Sequence, residues 1–286
     1  MPVWDSRIST KSGSICLSDT GGKGSPILLL HGSGTSRKVF ARQFDSPLAD
    51  QYRLVALDLP GHGESADAPD PATGYSIVSL AAAVGEVMDA VGITRPVIAG
   101  WSLGGHVAIE LLAQRPEIAG LMLTGAPPIS RGALGMLLSF QANLDLLLAT
   151  KEHFSERDAQ RFYEICFHGA GDPTFLESIR RADGRVRIAI SRSLMQGEGA
   201  NQKQTVETTE VPVAMVNGEQ EPVIRLSYLN HLDYRSLWRG ICHVIAAAGH
   251  APFWDQPEAY NRLLSEFAAD AFATATDATR RHSSAA

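Results

Sequence analysis

The sequence lacks the residue patterns that hold disulfides, metals and nucleotide cofactors. Its three cysteines, Cys16, Cys166 and Cys242, are odd in number and widely separated, so we interpret them as reduced, packed thiols rather than a disulfide framework or zinc site. No HxH, HExxH or HxxEH pattern is present, and no GxGxxG or GxxxxGK[ST] loop follows an early predicted strand. We therefore expect a site without metal or cofactor.

Long apolar runs and dense basic runs are also missing. No stretch approaches the roughly 18 to 20 apolar residues that span a bilayer, and residues 1–10 lack the basic end and apolar centre of a signal peptide. A net charge of −6 leaves no basic face for a phosphate backbone. We expect a cytoplasmic protein that binds neither membranes nor nucleic acids, and its oligomeric state stays open.

The sequence does contain short apolar runs that alternate with longer helical stretches. Six runs are apolar without strict alternation, which is typical of strands buried on both faces of a parallel sheet: 25–32, 52–58, 95–101, 120–125, 211–218 and 241–249. Residues 75–92 and 103–116 have helical apolar spacing and end at Gly or Pro. The pattern predicts an α/β fold, with a mostly parallel sheet flanked by helices and an antiparallel hairpin at 6–19.

From about 129 to 210 the spacing is helical throughout, and Ser155 with Asp158 fits a capping box. Such a block between two sheet strands predicts an inserted helical cap over one end of the sheet. We assign the core to 1–128 and 211–273 and the cap to 129–210, and we expect the small, polar tail 274–286 to be disordered.

One serine stands between a predicted strand and a predicted helix. Residues 100–105, GWSLGG, fit GxSxG, in which a tight turn holds the serine hydroxyl free above the sheet and the glycines give the turn clearance. The bare pattern arises by chance in roughly one of five sequences of this composition. Its position after a strand strengthens it, and Ser102 is our candidate nucleophile.

A serine hydroxyl needs a base to remove its proton, and a histidine held in one tautomer by an acid serves that purpose. Among nine histidines, His250 lies in a loop just after the last predicted strand, at the sheet edge where catalytic groups gather. His243 falls within that strand and is interpreted as a core residue. His62, in the Gly-rich loop LPGHGES, is a lesser candidate for substrate contact. We predict His250 as the base.

The oxyanion formed in acyl transfer is stabilised by two backbone N–H groups aimed at one point. One typically belongs to the residue after the nucleophile, here Leu103, and the other to the loop after the third strand. In that loop, LLLHGSGTS, His31 and Gly32 shape the turn. The second predicted donor is the Ser33 N–H.

The acid is expected in a loop after a strand, between the nucleophile and the base in chain order. Only the strand at 211–218 is followed by carboxylates within that interval, Glu219 and Glu221. Pro222 restricts the residue before it to extended geometry and suits the first position of a helix. We therefore favour Glu221 as an acid at a helix N-cap, where the helix dipole stabilises an anion, and interpret Glu219 as a solvated turn residue.

These motifs resemble a known family. HGSG, LDLPGHGES, GWSLGGH, NGEQEP and AGHAPF, spread over 31–254, resemble the α/β-hydrolase superfamily. GWSLGGHVAIE, TGAPP, FSERD, ADGRVR, VNGEQEP and HVIAAAGHAPF further resemble the AidH-type N-acyl-homoserine lactonases, metal-independent enzymes that open the lactone ring of bacterial quorum-sensing signals. The resemblance implies the same triad, Ser102, His250 and Glu221, and an oxyanion hole at Ser33 and Leu103.

The resemblance extends into the predicted cap, which selects the substrate. The residues expected to contact substrate lie beside the nucleophile or are cap aromatics: Gly32, Trp101, Phe140, Phe154, Phe162 and Tyr163. Helix packing explains each cap aromatic equally well. The family pattern has asparagine at the position of Ser33 and tyrosine at that of Phe162, which implies a different affinity or substrate range.

Three functions fit the sequence. The first is hydrolysis of an N-acyl-homoserine lactone through an acyl-enzyme. The second is a carboxylesterase that cleaves open-chain esters with the same triad, and the third is a ligand-binding receptor that has kept the fold. Dehalogenases and epoxide hydrolases of this fold carry Asp where Ser102 stands. Fold alone does not decide among the three.

Overall fold

Eight strands form one sheet in the computed structural model, which describes residues 3–284. They are β1 (Trp4–Thr10), β2 (Gly13–Asp19), β3 (Pro26–Leu30), β4 (Arg53–Leu57), β5 (Val97–Trp101), β6 (Gly120–Thr124), β7 (Val213–Gly218) and β8 (His243–Ile245). Their spatial order is β1-β2-β4-β3-β5-β6-β7-β8. The β1–β2 and β2–β4 pairs are antiparallel and all other pairs are parallel, so the predicted α/β fold and edge hairpin are confirmed.

Helices cover both faces of the sheet. They are α1 (Ala41–Phe44), α2 (Leu48–Gln51), α3 (Pro71–Gly74), α4 (Ile77–Ala90), α5 (Leu103–Gln114), α6 (Ala133–Ser139), α7 (Glu156–Phe167), α8 (Pro173–Arg181), α9 (Arg185–Gln196), α10 (Gln202–Thr208), α11 (Leu226–Leu229), α12 (Pro252–Asp255) and α13 (Pro257–Ser284). Short 3-10 helices occupy Arg37–Phe40, Leu144–Thr150 and Trp238–Gly240. The sheet therefore lies between two helical layers.

The two faces of the central strands supply two apolar clusters. In β3, Leu28 and Leu30 pack in a cluster with residues of α4 and α5, whereas Ile27 and Leu29 pack in a second cluster with residues of α13. Successive side chains of a strand point to opposite faces. A strand covered on both faces must be apolar at every position, which explains the unbroken apolar runs in the sequence.

The last strand is shorter than predicted. The sequence pattern extends over 241–249, but β8 covers only His243–Ile245. The chain leaves extended geometry at Ala247, which has a φ of +54°. The residues that follow form the loop that carries His250.

Helices α6 to α10 form the inserted helical segment between β6 and β7. The predicted capping box at Ser155 and Asp158 is present at the start of α7. Two contacts tie this segment to α5: His106 Nδ1 lies 2.8 Å from Gln202 Oε1, and Glu110 accepts a 2.7 Å hydrogen bond from the Ala200 N–H. The domain boundaries proposed from the sequence stay predictions.

The segment 274–284 differs from the predicted disordered tail, because α13 continues to Ser284. Helix propagation from an existing nucleus fixes few further dihedrals per hydrogen bond, and alanine and arginine favour helix. Arg95 also donates a 2.7 Å hydrogen bond to the Ala275 carbonyl. The last two residues of the predicted tail, 285 and 286, lie outside the described residues.

Candidate active site

Ser102 occupies a strained turn between β5 and α5. Its φ and ψ are 52° and −118°, a conformation that is costly for a residue with a side chain. Close packing on both sides supports the turn: a Cβ on Gly100 would lie 2.6 Å from the Gly104 carbonyl oxygen, and one on Gly104 would collide with the Leu30 carbonyl. The two glycines of GxSxG are therefore required by clearance.

His250 and Glu221 are in contact. Both are buried, and His250 Nδ1 lies 2.8 and 2.9 Å from the two carboxylate oxygens of Glu221. An Nδ1–H donated to the carboxylate leaves Nε2 unprotonated, which is the tautomer that a base requires. The structure thus brings together the predicted base and acid, and their catalytic roles remain predictions.

The two glutamates after β7 differ in the way the sequence predicts. Glu219 is exposed, and its Oε2 accepts a 3.3 Å hydrogen bond from the Ala247 N–H. Glu221 is 5% exposed and reaches the imidazole. The extra methylene of glutamate relative to aspartate does not prevent this contact.

The predicted helix N-cap at Glu221 is wrong. Residues 222–225 form bends and a single bridge, and α11 begins only at Leu226. The carboxylate still receives backbone N–H donors, from Val223 at 2.7 Å and Ile224 at 3.4 Å. Pro222 therefore directs a turn that wraps N–H groups around the anion, without a helix dipole.

Several contacts that position the His250–Glu221 pair were not predicted from the sequence. A Cβ on Gly125 would lie 2.5 Å from His250 Cε1, so only glycine leaves room for the ring there. Trp101 Nε1 donates a 2.7 Å hydrogen bond to the His250 carbonyl. From the cap, Gln141 Nε2 donates to the Glu221 carbonyl at 2.8 Å. TGAPP contains Gly125, but the sequence alone does not reveal what its missing side chain accommodates.

The loop after β3 lies beside the nucleophile turn. A Cβ on Gly32 would lie 2.9 Å from Trp101 Cε3 and 3.2 Å from Ser102 Cβ. His31 fixes the loop, since its Nε2 accepts the Leu59 N–H at 3.0 Å and its Nδ1 lies 2.8 Å from the Gly32 carbonyl oxygen. Burial lowers the pKa of His31 to about 4, so the ring is neutral near pH 7.

The two predicted oxyanion donors border the same cavity as Ser102 and His250. Leu103 is the first residue of α5, so its N–H has no acceptor within that helix. Ser33 follows Gly32 in the loop fixed by His31. Their position fits an oxyanion hole, and the assignment remains a prediction.

The cavity has a volume of about 480 Å³ and lies between the sheet edge and the helical segment. Ser33, Ser102 and His250 line the side of the cavity that the sheet edge forms. The helical segment and the 222–223 turn form the opposite wall, which is mostly apolar. Its apolar residues include Met136, Leu137, Phe140, Phe162, Ile165, Ile190, Leu194 and Val223. An apolar group attached to a reacting carbonyl fits such a space.

Among the residues predicted to contact substrate, Gly32, Trp101, Phe140 and Phe162 line the cavity. Tyr163 does not: it is buried against Phe167, and its hydroxyl donates to the Gly171 carbonyl. Adjacent residues on a helix are rotated by about 100°, so Phe162 and Tyr163 face different sides of α7. Phe154 also lies outside the lining and packs against Phe162.

Three buried titratable residues of the lining were not predicted: His106, Cys166 and Arg187. Burial lowers the pKa of His106 to about 4, raises the pKa of the Cys166 thiol and lowers the pKa of Arg187 to about 10. Near pH 7 the first two are neutral and Arg187 is charged. His106 lies on α5, four residues after Ser102 in the GWSLGGH motif. Cys166 and Arg187 belong to no local motif, because they border the cavity only through the packing of the helical segment.

Within the described residues 3–284, no cluster of three or more His, Cys, Asp or Glu side chains is arranged to hold a metal ion. No helix in this part of the chain combines the length and apolar character needed to cross a bilayer.

Comparison with known proteins agrees with this architecture. Two solved structures of the N-acyl homoserine lactonase AidH are each 37% identical in sequence to this chain. The first is a glutamate-to-glycine mutant with N-hexanoyl homoserine; it has a TM-score of 0.91, and the match covers 94% of this chain and 98% of that one. The second is a serine-to-glycine mutant with N-hexanoyl homoserine lactone; it has a TM-score of 0.90, and the match covers 93% of this chain and 98% of that one. An esterase of Mycobacterium tuberculosis is 27% identical over 275 residues, 89% of this chain and 86% of that protein.

The sequence also matches a family model over residues 27–263, which include every strand from β4 to β8, most of β3 and the whole inserted helical segment. That range contains Ser102, Glu221 and His250. The chain therefore belongs to the alpha/beta hydrolase family.

Proposed function

We propose that this protein is a serine hydrolase that opens the lactone ring of N-acyl-homoserine lactones. The observation that carries the proposal is the buried His250–Glu221 contact, in which His250 borders the same mostly apolar cavity as Ser102. The likeness to AidH supports it, since it extends over 94% of this chain and so includes the helical segment that forms the cavity wall.

In the proposed mechanism, Ser102 Oγ attacks the lactone carbonyl carbon while His250 Nε2 takes the hydroxyl proton. The Ser33 and Leu103 N–H groups stabilise the tetrahedral oxyanion, and Glu221 stabilises the imidazolium. Collapse breaks the ring C–O bond, and His250 returns the proton to the leaving alkoxide. A water molecule, deprotonated by His250, then attacks the acyl-enzyme and releases the ring-opened acid and Ser102.

A lactone places one particular demand on this mechanism. Its leaving alcohol stays tethered to the acyl group, so reclosure competes with hydrolysis at the acyl-enzyme stage. Fast turnover therefore requires that His250 activates a water molecule before the alcohol returns. This distinguishes a lactonase from an esterase, whose leaving group diffuses away.

Ester hydrolysis on open-chain substrates is the second candidate, favoured by the relative in Mycobacterium tuberculosis that is an esterase. The two functions are separated by kcat/KM for N-hexanoyl-homoserine lactone and for a linear ester of matched length. A higher kcat/KM on the lactone supports our proposal. A strong preference for the linear ester would assign the protein to the esterases.

The test of the mechanism is an acidification assay, because ring opening releases a proton. We expect Ser102→Ala to lower kcat by about 10⁶-fold, as for loss of the nucleophile in other triads. We expect EDTA to leave the wild-type rate unchanged. Wild-type turnover by Ser102→Ala would exclude the acyl-enzyme, and strong inhibition by EDTA would indicate a metal-dependent reaction.

A further inference from the structure

Arg187 is a buried cation in the wall of the otherwise mostly apolar cavity. It lies on α9 and is 4% exposed. Its Nε donates to the Lys151 carbonyl at 2.7 Å, and its Nη2 donates to the Glu152 carbonyl at 2.8 Å. The guanidinium carbon also lies 3.8 Å from the centre of the Phe154 ring. These contacts fix the plane of the guanidinium.

The third nitrogen of this guanidinium is unused. Within residues 3–284, Nη1 of Arg187 is buried and has no hydrogen-bond partner. Three other side-chain atoms there share this property, in Gln43, Tyr234 and His243, and none of those residues lines the cavity. A buried polar group without a partner is costly, and more so when it is charged.

Among the described residues, no carboxylate pairs directly with this charge, although Asp183 and Glu152 favour it electrostatically from a greater distance. Arg187 makes no ion pair with Asp or Glu in the described part of the chain, and both of its hydrogen bonds go to neutral backbone carbonyls. A further acceptor oxygen brought by a ligand would complete its hydrogen bonding. The surrounding wall is mostly apolar but also contains Gln141, Asn143 and Thr150. Among the lining residues within 3–284, Arg187 alone has a buried side-chain atom without a partner, so Nη1 is the donor that such an oxygen would satisfy.

We propose that Nη1 of Arg187 binds a carbonyl oxygen in the acylamino substituent of the substrate and thereby selects acyl-homoserine lactones over plain alkyl lactones. This inference rests on the proposed function. Two oxygens have the required chemistry: the amide carbonyl, present in every such lactone, and a 3-oxo group, present in some. Because Nη1 is covered before substrate binds, neighbouring side chains shift when the oxygen enters.

The test compares three lactones of matched length: N-hexanoyl-homoserine lactone, its 3-oxohexanoyl counterpart and α-heptyl-γ-butyrolactone, which has no carbonyl in its side chain. The variant is Arg187→Met, which removes every donor. Ser191→Ala is the matched control. Like Arg187, Ser191 lies on α9 and donates a side-chain hydrogen bond to a backbone carbonyl, that of Ala149, but it lies outside the cavity lining. Thermal unfolding of each variant measures any loss of stability.

We expect Arg187→Met to lower kcat/KM about 10- to 100-fold on lactones that carry the recognised oxygen, mainly through KM, and to leave the alkyl lactone within about twofold. A loss on both acyl-homoserine lactones identifies the amide carbonyl as the partner, and a loss confined to the 3-oxo substrate identifies the 3-oxo group. An equal loss on all three, or no loss, would overturn the inference. Ser191→Ala should not change the ratios of kcat/KM among the three lactones.

A second variant protects the test against misfolding. Arg187→Lys keeps a positive charge and can bond the backbone carbonyls, but it lacks the fork that serves three acceptors at once. We expect a smaller loss with the same substrate selectivity. Unselective behaviour of a folded Arg187→Lys would count against the inference.

Failure of the proposed function can be told apart from failure of this inference. If the wild-type protein opens none of the lactones, the proposed function is wrong. The p-nitrophenyl esters of N-hexanoylglycine and of nonanoic acid, which differ in the amide, then replace the lactones. Loss of discrimination between these esters in Arg187→Met would support the inference, and unchanged discrimination would contradict it.

Discussion

The core edge and the helical segment contribute to the cavity in different ways. At the core edge, backbone geometry sets the positions of Ser102 and His250, through a strained φ and through glycines whose side chains would collide with neighbours. In the helical segment, the wall consists mainly of apolar side chains, which include Phe140 and Phe162. One region tolerates almost no change of shape, and the other can be repacked.

The difference indicates how the proposed chemistry and its selectivity can vary separately. Acid–base chemistry depends on displacements of less than an ångström, and a 1 Å error can cost about 100-fold in rate. Apolar recognition depends on buried area, at about 25 cal/mol per Å², and changes gradually. We therefore expect changes at the core edge to lower kcat and changes in the helical wall to alter KM.

The largest effect is expected from breaking the contact between Glu221 and His250. Glu221→Gln keeps the size of the side chain but removes the charge that stabilises the imidazolium. We expect kcat to fall by about 10⁴-fold, as for the equivalent change in other triads. Steady-state kinetics on the preferred lactone or ester measures the loss.

Glu219→Gln is the matched control, because it makes the same chemical change two residues away at an exposed position. Its kcat should remain within about twofold of wild type, as expected for a surface change. Equal losses in the two variants would show that the acidic turn acts as a whole rather than through Glu221.

The contrast between the two glutamates shows which parts of the site can be predicted from sequence. Ser102 lies in a local motif whose strand, turn and helix follow from a few residues, and chain order together with a loop after a strand led to Glu221 and His250. Strands β3 to β7 were recognisable because burial on both faces requires continuous apolar runs. The short β8 is not buried in this way, since Val244 is 53% exposed. Local chemistry and sheet topology determine these features.

Features that depend on tertiary packing were not predictable in this way. Phe162 and Tyr163 have the same local pattern, and only the rotation of α7 decides which one borders the cavity. The missing side chain of Gly125 has meaning only because His250 packs there from a distant part of the sequence. The N-cap prediction at Glu221 failed because the helix propensity of the following residues did not prevail over the turn that binds the carboxylate.

An intermediate effect is expected from Gly125→Ala. The new methyl group would lie 2.5 Å from His250 Cε1, so the imidazole or the backbone must move. We expect kcat to fall by about 100-fold with little change in KM. Gly132→Ala, in the helical segment, is the control: its φ of +89° is also left-handed, but nothing lies within 4 Å of the added Cβ. Both variants carry backbone strain, and only Gly125→Ala should lose activity beyond any loss of stability measured by thermal unfolding.

The smallest effect is expected in the wall, from Phe162→Ala. Removing a ring that lines the cavity takes away apolar contact worth about 1 to 2 kcal/mol, which corresponds to about a tenfold rise in KM for a long acyl chain. An N-butanoyl substrate should lose less than an N-decanoyl one, since it has fewer methylenes to place against the wall, and kcat should stay near the wild-type value. Leu134→Ala is the control, because Leu134 belongs to the same helical segment but is 67% exposed and lies outside the lining. If Phe162→Ala instead lowered kcat as strongly as Gly125→Ala, the wall would take part in positioning the reacting groups, and chemistry and selectivity would not be separable between the two regions.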